Sequence, residues 1–320
     1  MKLFNKSLRA MVATGIVAAI CACGTTSVVP VTGRKHRLAV DDQQVLSLSY
    51  QEYTKYMQTA KASTNATNTA MVKRVGQRLA TAVETYLSQN GFADELQYFD
   101  WEFNLVQDNQ ANAFCMPGGK IVVYEGILPL TQTEAGLAVV LGHEIAHAVA
   151  KHSAEQMTKQ QAGQLGAELL GGVLTATGVD SELAGHATTL YGLGNTLAQL
   201  KYSRNHESEA DYMGLVFTAM AGYDPAEAIT FWQRMAANSQ TTTPAFLSTH
   251  PSDSKRIADI QKHLPEAQMY YKGAPSYITA PASSTATKVA SSTTKSNLTN
   301  AKSGTTTKKT TTKKSPGYSF

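Results

Sequence analysis

Apolar residues recur at three- and four-residue spacing over much of the chain, a pattern typical of amphipathic helices. The clearest case ends just before residue 90 and consists of Met71, Val75, Leu79, Val83 and Leu87. The same spacing predicts helices over 41–56, 131–151, 203–220 and 225–237, and a last helix that starts after residue 251 and ends near residue 265.

Two stretches follow a different pattern. Residues 98–106 and 120–124 alternate or run apolar and are rich in β-branched and aromatic residues, which predicts strands. A turn at Pro117-Gly118-Gly119 precedes the second strand. Residues 160–200 are rich in Ala and Gly and predict loosely packed helices with flexible joints. Together these elements predict an α+β fold, mainly helical, with a small sheet.

The start of the chain has the features of an export signal. Residues 1–23 combine a positively charged start with a short apolar run. The run ends in Ile20-Cys21-Ala22-Cys23, which resembles the lipobox of bacterial lipoproteins and implies that Cys23 is lipidated. The alternatives are ordinary signal cleavage nearby or a retained hydrophobic anchor.

Four regions are therefore predicted. A lipoprotein signal peptide covers 1–22, a membrane-proximal spacer 23–40, a folded domain 41–272 and a disordered tail 273–320. The tail is rich in Ser, Thr and Lys, and it cannot bury enough apolar area to offset the entropy lost on ordering.

The distribution of charge excludes one class of partner. The 320 residues include 28 basic and 24 acidic side chains, but seven lysines lie in the segment 279–320, which has no acid. Without this segment and the signal peptide, 18 basic and 24 acidic residues remain, a net charge of −6. Such a body lacks the basic surface that neutralises phosphates, so nucleic acid is excluded as a partner.

The candidate chemistry begins at His143-Glu144-Ile145-Ala146-His147. Residues four apart share one face of a helix, so both histidines can ligate one metal ion, with Glu144 within reach of a water there. The surrounding helix is strongly apolar, and burying these groups without a partner would cost several kcal/mol. A metal ion removes that cost. The alternative is a pair of core histidines hydrogen-bonded to their neighbours.

A catalytic zinc ion needs a third protein ligand, and the helix over 203–220 offers one. Glu207 and Asp211 are again four residues apart, which allows Glu207 to bind the metal while Asp211 accepts the free ring N–H of a ligating histidine. Glu209 points to roughly the opposite side, and His206 is predicted to lie at the surface. The alternative is an acidic, solvated helix face.

The sequence resembles the gluzincin metallopeptidases that include HtpX, BepA and the CAAX prenyl protease. The matching stretches are 111–121, 143–147, 203–211, 221–225 and 249–256. The resemblance implies a zincin-like fold, in which an HExxH helix and a second ligand helix hold one Zn²⁺ per chain through His143, His147 and Glu207. It also implies that Glu144 is the general base. The chain has no candidate internal membrane spans, so it is similar to the soluble, exported branch.

The oxyanion that forms during peptide hydrolysis needs a donor besides zinc. Arg204, one turn before Glu207, and His250, in a loop before the last helix, are the candidates. The alternatives are a salt bridge for Arg204 and a helix-cap contact for His250. The resemblance adds another role, because in the BepA-like branch the corresponding histidine can fill the open position of zinc and hold the enzyme latent.

An extended substrate is expected to add as a strand to the edge of the sheet beside the cleft. Residues 120–124 are predicted to be this edge strand, and the alternative is an interior strand. The residues expected to bind substrate are Asn112, Ala113, Ile121, Val122 and Val123. Binding of this kind recognises the backbone, which suits unfolded chains.

These features predict a zinc metalloendopeptidase that cuts misfolded or unassembled envelope proteins in periplasmic quality control. A lipid on Cys23 would attach it to a membrane, and Gly24 rather than Asp after the cysteine favours the outer membrane. Two alternatives are a periplasmic chaperone or assembly factor with latent protease activity, and a peptidase that acts on cell-wall peptides.

Overall fold

A computed structural model describes residues 25–163, 202–239, 244–250 and 254–273. The predicted signal peptide with Cys23, nearly all of the Ala- and Gly-rich region 160–200 and the tail from residue 274 lie outside the described residues. Among the helices that are described, none has both the length and the hydropathy needed to cross a membrane.

The described elements are mainly helical, as predicted. The helices are α1 (Asp42–Thr59), α2 (Ala66–Gln89), α3 (Leu128–Thr131), α4 (Glu134–Val149), α5 (152–163), α6 (Arg204–Met220), α7 (Glu227–Asn238), α8 (Ala245–Thr249) and α9 (Ser254–Gly273). The strands are β1 (Thr25–Val28), β2 (Lys35–Leu38), β3 (Glu102–Val106), β4 (Ala113–Met116) and β5 (Lys120–Tyr124), and short 3₁₀ helices cover Ala93–Tyr98 and Glu125–Ile127.

Helix α4 lies at the centre of the core. Its N-terminus is capped by Thr133, whose side chain accepts a hydrogen bond from the Gly136 N–H at 2.9 Å. Every residue from Gly136 to His147 is buried, because α2, α6, α7 and β4 pack around the helix. A helix that is apolar all round is stable only in such a position.

Helices α4 and α6 approach each other most closely at two glycines. A Cβ atom at Gly214 would lie 2.9 Å from the backbone nitrogen of His143, and one at Gly142 would lie 2.9 Å from the Gly214 carbonyl oxygen. Both positions therefore require a residue without a side chain. The close crossing brings the face of α4 that includes His143 against the face of α6 that includes Asp211.

The three-stranded sheet has the order β3-β5-β4, with β3 parallel and β4 antiparallel to β5. The prediction that residues 120–124 form an edge strand is therefore wrong. Ile121, Val122 and Val123 are fully buried between two hydrogen-bonded neighbours, so they cannot pair with a substrate. A continuous apolar run of this kind is typical of a strand buried on both faces.

The edge strand on the side of α4 is β4, which the sequence did not indicate. Its four residues, Ala113 to Met116, include none that is β-branched, and all four are buried. Ala113 lies opposite Val123 in the register. The strand exists because β5 pairs with it along its whole length and α4 covers it.

The predicted spacer over 23–40 is wrong for residues 25–40. Strands β1 and β2 form an antiparallel hairpin that packs on the domain. Val29 is fully buried in the main core, and Leu38 and Val40 are buried in a smaller cluster with Val45 of α1. Each strand has only four residues, so neither contains an alternation long enough to predict this pairing.

Helix α9 continues past Pro265 to Gly273, although the predicted end was near residue 265. Proline removes one helical N–H, but tertiary contacts compensate for the loss. Tyr212 of α6 donates its hydroxyl to Glu266 at 2.7 Å, and Ala267 is fully buried. The helix therefore continues because α6 holds its second half.

The close crossing of α4 and α6 predicts the effect of adding one methyl group. We expect Gly214→Ala to destabilise the protein by about 1–3 kcal/mol, since the new Cβ meets the backbone of α4. Alanine by itself favours a helix over glycine by about 0.8–1.0 kcal/mol, so any loss reports the contact. Thermal unfolding measures this, with Asn205→Ala at an exposed position of α6 as control. A raised melting temperature for Gly214→Ala would contradict the expectation.

Candidate active site

Polar side chains from three elements meet in the otherwise apolar centre of the domain. Helix α4 contributes the HExxH motif, and α6 contributes Glu207 and Asp211 one turn apart. The residue after α8, His250, completes the group. These side chains are all nearly or fully buried, with exposed fractions of 9% or less. Such a concentration of buried charge requires partners.

Four donor atoms converge on one point. The Nε2 atom of His143 is 3.1 Å from Nε2 of His147 and 3.4 Å from Oε2 of Glu207. His147 Nε2 lies 3.5 Å from Glu207 Oε1. His250 Nδ1 lies 3.2 Å from His143 Nε2 and 3.1 Å from Glu207 Oε1. Ligands of a tetrahedral zinc ion are about 3.4 Å apart, so the nitrogen and oxygen donors of this set fit zinc.

Asp211 makes the contact predicted for it. Its Oδ1 lies 3.0 Å from His143 Nδ1, the ring nitrogen that faces away from the other donors. Burial raises the pKa of Asp211, but the charge of Arg256 and the hydrogen bond with His143 outweigh it and leave the pKa lowered. Asp211 is therefore a carboxylate that orients His143.

Arg256, near the start of α9, neutralises the carboxylates of the site. Its guanidinium makes two hydrogen bonds to Asp211, at 2.6 and 2.7 Å, and lies 3.0 Å from Glu207 Oε2. The guanidinium also lies over the ring of Trp232, with its central carbon Cζ 3.6 Å from the ring centroid. Arg256 lies in the stretch 249–256 that resembles the gluzincin family, but no role was predicted for it. Its position could not be inferred, because it depends on how α9 packs on α6.

The pKa values of two proposed ligands, Glu207 on α6 and His143 on α4, are shifted in opposite directions. Burial raises the pKa of Glu207, but His250, His143 and Arg256 outweigh it and hold the pKa well below its usual range. Burial and Arg256 lower the pKa of His143, but hydrogen bonds to Asp211 and Glu207 raise it to about 9. A metal-binding imidazole nitrogen must be unprotonated, so Asp211 and Glu207 oppose the loss of a proton that zinc binding requires.

Glu144 is positioned differently from the ligands. The backbone N–H of Cys115, on β4, donates to Glu144 Oε2 at 3.2 Å. Glu144 Oε1 is buried and has no hydrogen-bond partner among the described residues, although His250 Nε2 is 3.3 Å away. Burial is the main influence on the pKa of Glu144 and raises it. A carboxylate with one free oxygen and a raised pKa suits the transfer of a proton.

Arg204 does not join the site in the manner predicted. It is exposed at the first position of α6, whereas Arg256 is the guanidinium that contacts the ligands. His206 is not a surface residue, since it is 2% exposed and its Nε2 lies 3.0 Å from Oε1 of Glu155. The helix turn to which each belongs was predicted correctly, but the packing of α5 and α9 around it was not.

His152 is a neighbour of the site that no helical spacing in the sequence indicates. Its Nδ1 lies 2.8 Å from Nδ1 of His147, although five residues separate the two on the chain. The contact exists because α4 ends at Val149 and Lys151 adopts a left-handed conformation with φ of 55°. Helix α5 then begins at His152, whose ring lies beside that of His147. Burial is the main cause that lowers the pKa of His152, to about 4, so it is neutral.

The predicted substrate residues separate into two groups. The backbone of Asn112 is bonded to β5, since its carbonyl accepts from Tyr124 at 3.0 Å. Ala113 lies on β4, the edge strand whose Cys115 N–H reaches Glu144. The Ala111 carbonyl, just before β4, accepts a hydrogen bond from Phe246 of α8 at 3.0 Å. The edge beside Glu144 is thus β4, and α8 covers its start.

Comparison with known proteins agrees with this geometry. Residues 66–264 match the sequence model of Peptidase family M48. The chain is 45% identical over 171 residues to the mitochondrial metalloendopeptidase OMA1 of Schizosaccharomyces pombe, which covers 53% of this chain and 48% of that protein. It is 30% identical over 248 residues to the mitochondrial metalloendopeptidase OMA1 of Homo sapiens, covering 74% of this chain and 46% of that one.

A bacterial relative also matches. The chain is 33% identical over 168 residues to the beta-barrel assembly-enhancing protease of Yersinia pestis, which covers 50% of this chain and 33% of that protein. The chain thus spans half or less of the length of these curated relatives.

The converging donors predict which variants lose metal. We expect His143→Ala and Glu207→Ala to bind no stoichiometric zinc, whereas Glu144→Gln keeps it, since Glu144 is not among the four donors. Bound zinc should stabilise the wild type by about 3 kcal/mol when free zinc is a hundredfold above Kd. Metal analysis and melting temperatures with and without a chelator measure both effects. Full zinc occupancy in Glu207→Ala would contradict the ligand set.

Proposed function

The chain belongs to peptidase family M48, and from this premise we propose that it is a zinc-dependent metalloendopeptidase acting on misfolded or unassembled proteins of a bacterial envelope. The observation that carries the proposal is the buried Glu144 carboxylate, whose Oε1 makes no hydrogen bond among the described residues, beside four converging metal donors. A site that only held a metal for stability would have no need of a carboxylate oxygen without a hydrogen bond there.

Glu144 acts as the general base in this proposal. It takes a proton from the attacking water and returns it to the leaving amine, so one carboxylate serves as base and then as acid. The Cys115 N–H bond to its other oxygen fixes the carboxylate plane during both steps. His143, His147 and Glu207 would hold a zinc ion, which would supply Lewis-acid chemistry toward the substrate carbonyl when bound.

His250 decides whether this site is open. Catalytic zinc sites keep one position free, and here the fourth donor position belongs to His250 Nδ1. This arrangement favours the latent role over the oxyanion role for His250. The Phe246 ring stacks on the His250 ring, with the ring centroids 4.5 Å apart. The backbone N–H of Phe246 donates a hydrogen bond to the carbonyl of Ala111. Release of His250 would therefore also free the start of β4 for substrate.

The proposed substrates follow from the chemistry of that edge. The backbone N–H and C=O groups that point away from β5 belong to Ala111, Ala113 and Cys115. An extended chain added at this edge would therefore be bound through its backbone. Backbone recognition depends little on side chains, which suits unfolded or misassembled proteins. Nucleic acid stays excluded as a partner by the charge of the body.

The proposed location rests on the N-terminal sequence. The export signal over 1–22 and lipidation of Cys23 support attachment to a bacterial membrane with the domain on the periplasmic face, and Gly24 favours the outer membrane. One relative is named a beta-barrel assembly-enhancing protease, which supports an envelope role, whereas the OMA1 relatives are mitochondrial enzymes. A chaperone function is less well supported, because a protein that only binds its clients needs no general base at Glu144. Cleavage of cell-wall peptides is also less well supported.

Loss of the base tests the proposed activity. We expect Glu144→Gln to lower the rate of casein digestion by about 10²–10⁴-fold, because the amide cannot take the proton. Glu134→Gln, at the partly exposed first turn of the same helix, is the matched control and should digest casein at the wild-type rate. Wild-type proteolysis by zinc-loaded Glu144→Gln would refute the role of Glu144.

The position of His250 gives a prediction with a definite sign. We expect His250→Ala to cleave an unstructured peptide faster than the wild type. If His250 has left the site in a fraction f of the wild-type molecules, the rate should rise by a factor of 1/f. A fall of about 10²–10³-fold at unchanged zinc content would instead identify His250 as an oxyanion donor. An unchanged rate would reduce it to a structural residue at the end of α8.

A further inference from the structure

A buried polar chain leads away from the far side of His147. Its Nε2 faces the other donors, so a neutral ring that binds metal through Nε2 carries its proton on Nδ1. That Nδ1–H points at Nδ1 of His152, 2.8 Å away. His152 must therefore accept through Nδ1 and keep its own proton on Nε2.

Glu209 selects this tautomer of His152. Its Oε2 lies 3.0 Å from His152 Nε2, and an ionised carboxylate can only accept a hydrogen bond. Both side chains are almost completely buried, at 1% exposure or less. The direction of every hydrogen bond from His147 to Glu209 is thus determined by the carboxylate at one end and the metal position at the other.

The N-terminal hairpin holds Glu209 in turn. Arg34 Nε lies 3.0 and 2.8 Å from the two Glu209 oxygens, and the Thr32 hydroxyl donates to Oε1 at 2.6 Å. Thr32 and Arg34 both belong to the tight turn between β1 and β2. In this turn the Val29 N–H donates to the Arg34 carbonyl, and Gly33 adopts a φ of 70°. These residues precede the segment 66–264 that matches the family.

The two ligand histidines of α4 are therefore supported in parallel ways. His143 contacts Asp211, which Arg256 holds, and His147 reaches Glu209 through His152, with Arg34 holding the carboxylate. Hydrogen bonds to the second ring nitrogen fix the tautomer and orientation of a metal-binding histidine. The first arm ends on α9 and the second on the hairpin.

We propose that Arg34, Glu209 and His152 are positioning residues that orient the His147 ring for zinc, so that the N-terminal hairpin contributes to metal affinity. The proposal rests on the proposed zinc peptidase function. It predicts that damage to the hairpin far from the substrate weakens zinc binding, which a purely structural cluster of polar residues would not do.

The test measures the zinc Kd of the full-length protein by competition with a chelator. His152→Leu should weaken zinc binding by about 10–100-fold, because His147 loses its acceptor. His152→Asn should keep most of the affinity, since the amide oxygen can take the place of Nδ1. Arg34→Met should weaken binding in the same direction, and Arg37→Met, exposed on the same hairpin, should not.

Cobalt(II) substitution separates positioning from general stability. In the positioning role, the visible absorption bands of bound cobalt shift in His152→Leu and Arg34→Met and stay unchanged in Arg37→Met. Loss of the buried pair with Glu209 by itself lowers the melting temperature of Arg34→Met but leaves the cobalt bands of the folded protein unchanged. Should His152→Leu fail to fold, Arg34→Met decides alone, because its side chain is 24% exposed at a turn.

Two results would overturn the proposal in distinguishable ways. A zinc Kd and cobalt spectrum of Arg34→Met equal to those of the wild type would refute the hairpin's role and leave the proposed peptidase function intact. A wild-type protein that binds neither zinc nor cobalt would refute the proposed function itself, and the positioning role with it.

Discussion

The close crossing of α4 and α6 at Gly142 and Gly214 is the constraint on which the site depends. Metal donors on two helices can meet only if the helix backbones approach within reach of short side chains. The carboxylates of Glu207 and Asp211 reach His143 because no Cβ separates the backbones at the crossing. The apolar residues that surround α4 then exclude water from the donors, which strengthens every charge interaction among them.

Burial of so many ionisable groups is tolerable because cations from outside the ligand set balance the carboxylates. Arg256 is paired with Asp211 and Glu207, and Arg34 is paired with Glu209. Removing one partner of a buried pair would leave an uncompensated charge, which is far more costly than the pair is stabilising. The N-terminal hairpin and α9 are in this sense parts of the site, although neither includes the HExxH motif.

The proposed access to the site involves the edge of the sheet. His250 directly follows α8, and Phe246 of α8 donates its backbone N–H to the Ala111 carbonyl, just before β4. A single movement would therefore open both the fourth donor position and the backbone edge beside Glu144. Since the Glu144 carboxylate is anchored by Cys115 of the same strand, the base and the proposed substrate strand share one support.

Features that depend on neighbouring positions in the chain follow from the amino-acid pattern alone. Helical periodicity placed His143 and His147 on one face and Glu207 and Asp211 on another, because residues four apart meet wherever a helix forms. Other features follow from the packing: β5 is central, Arg256 replaces Arg204, and His152, Glu209 and Arg34 lie behind His147. Strand order and the contacts of α9 and the hairpin with α6 join residues tens of positions apart or more, so no spacing in the sequence encodes them. The contact between His147 and His152 depends on the left-handed conformation of Lys151 between α4 and α5.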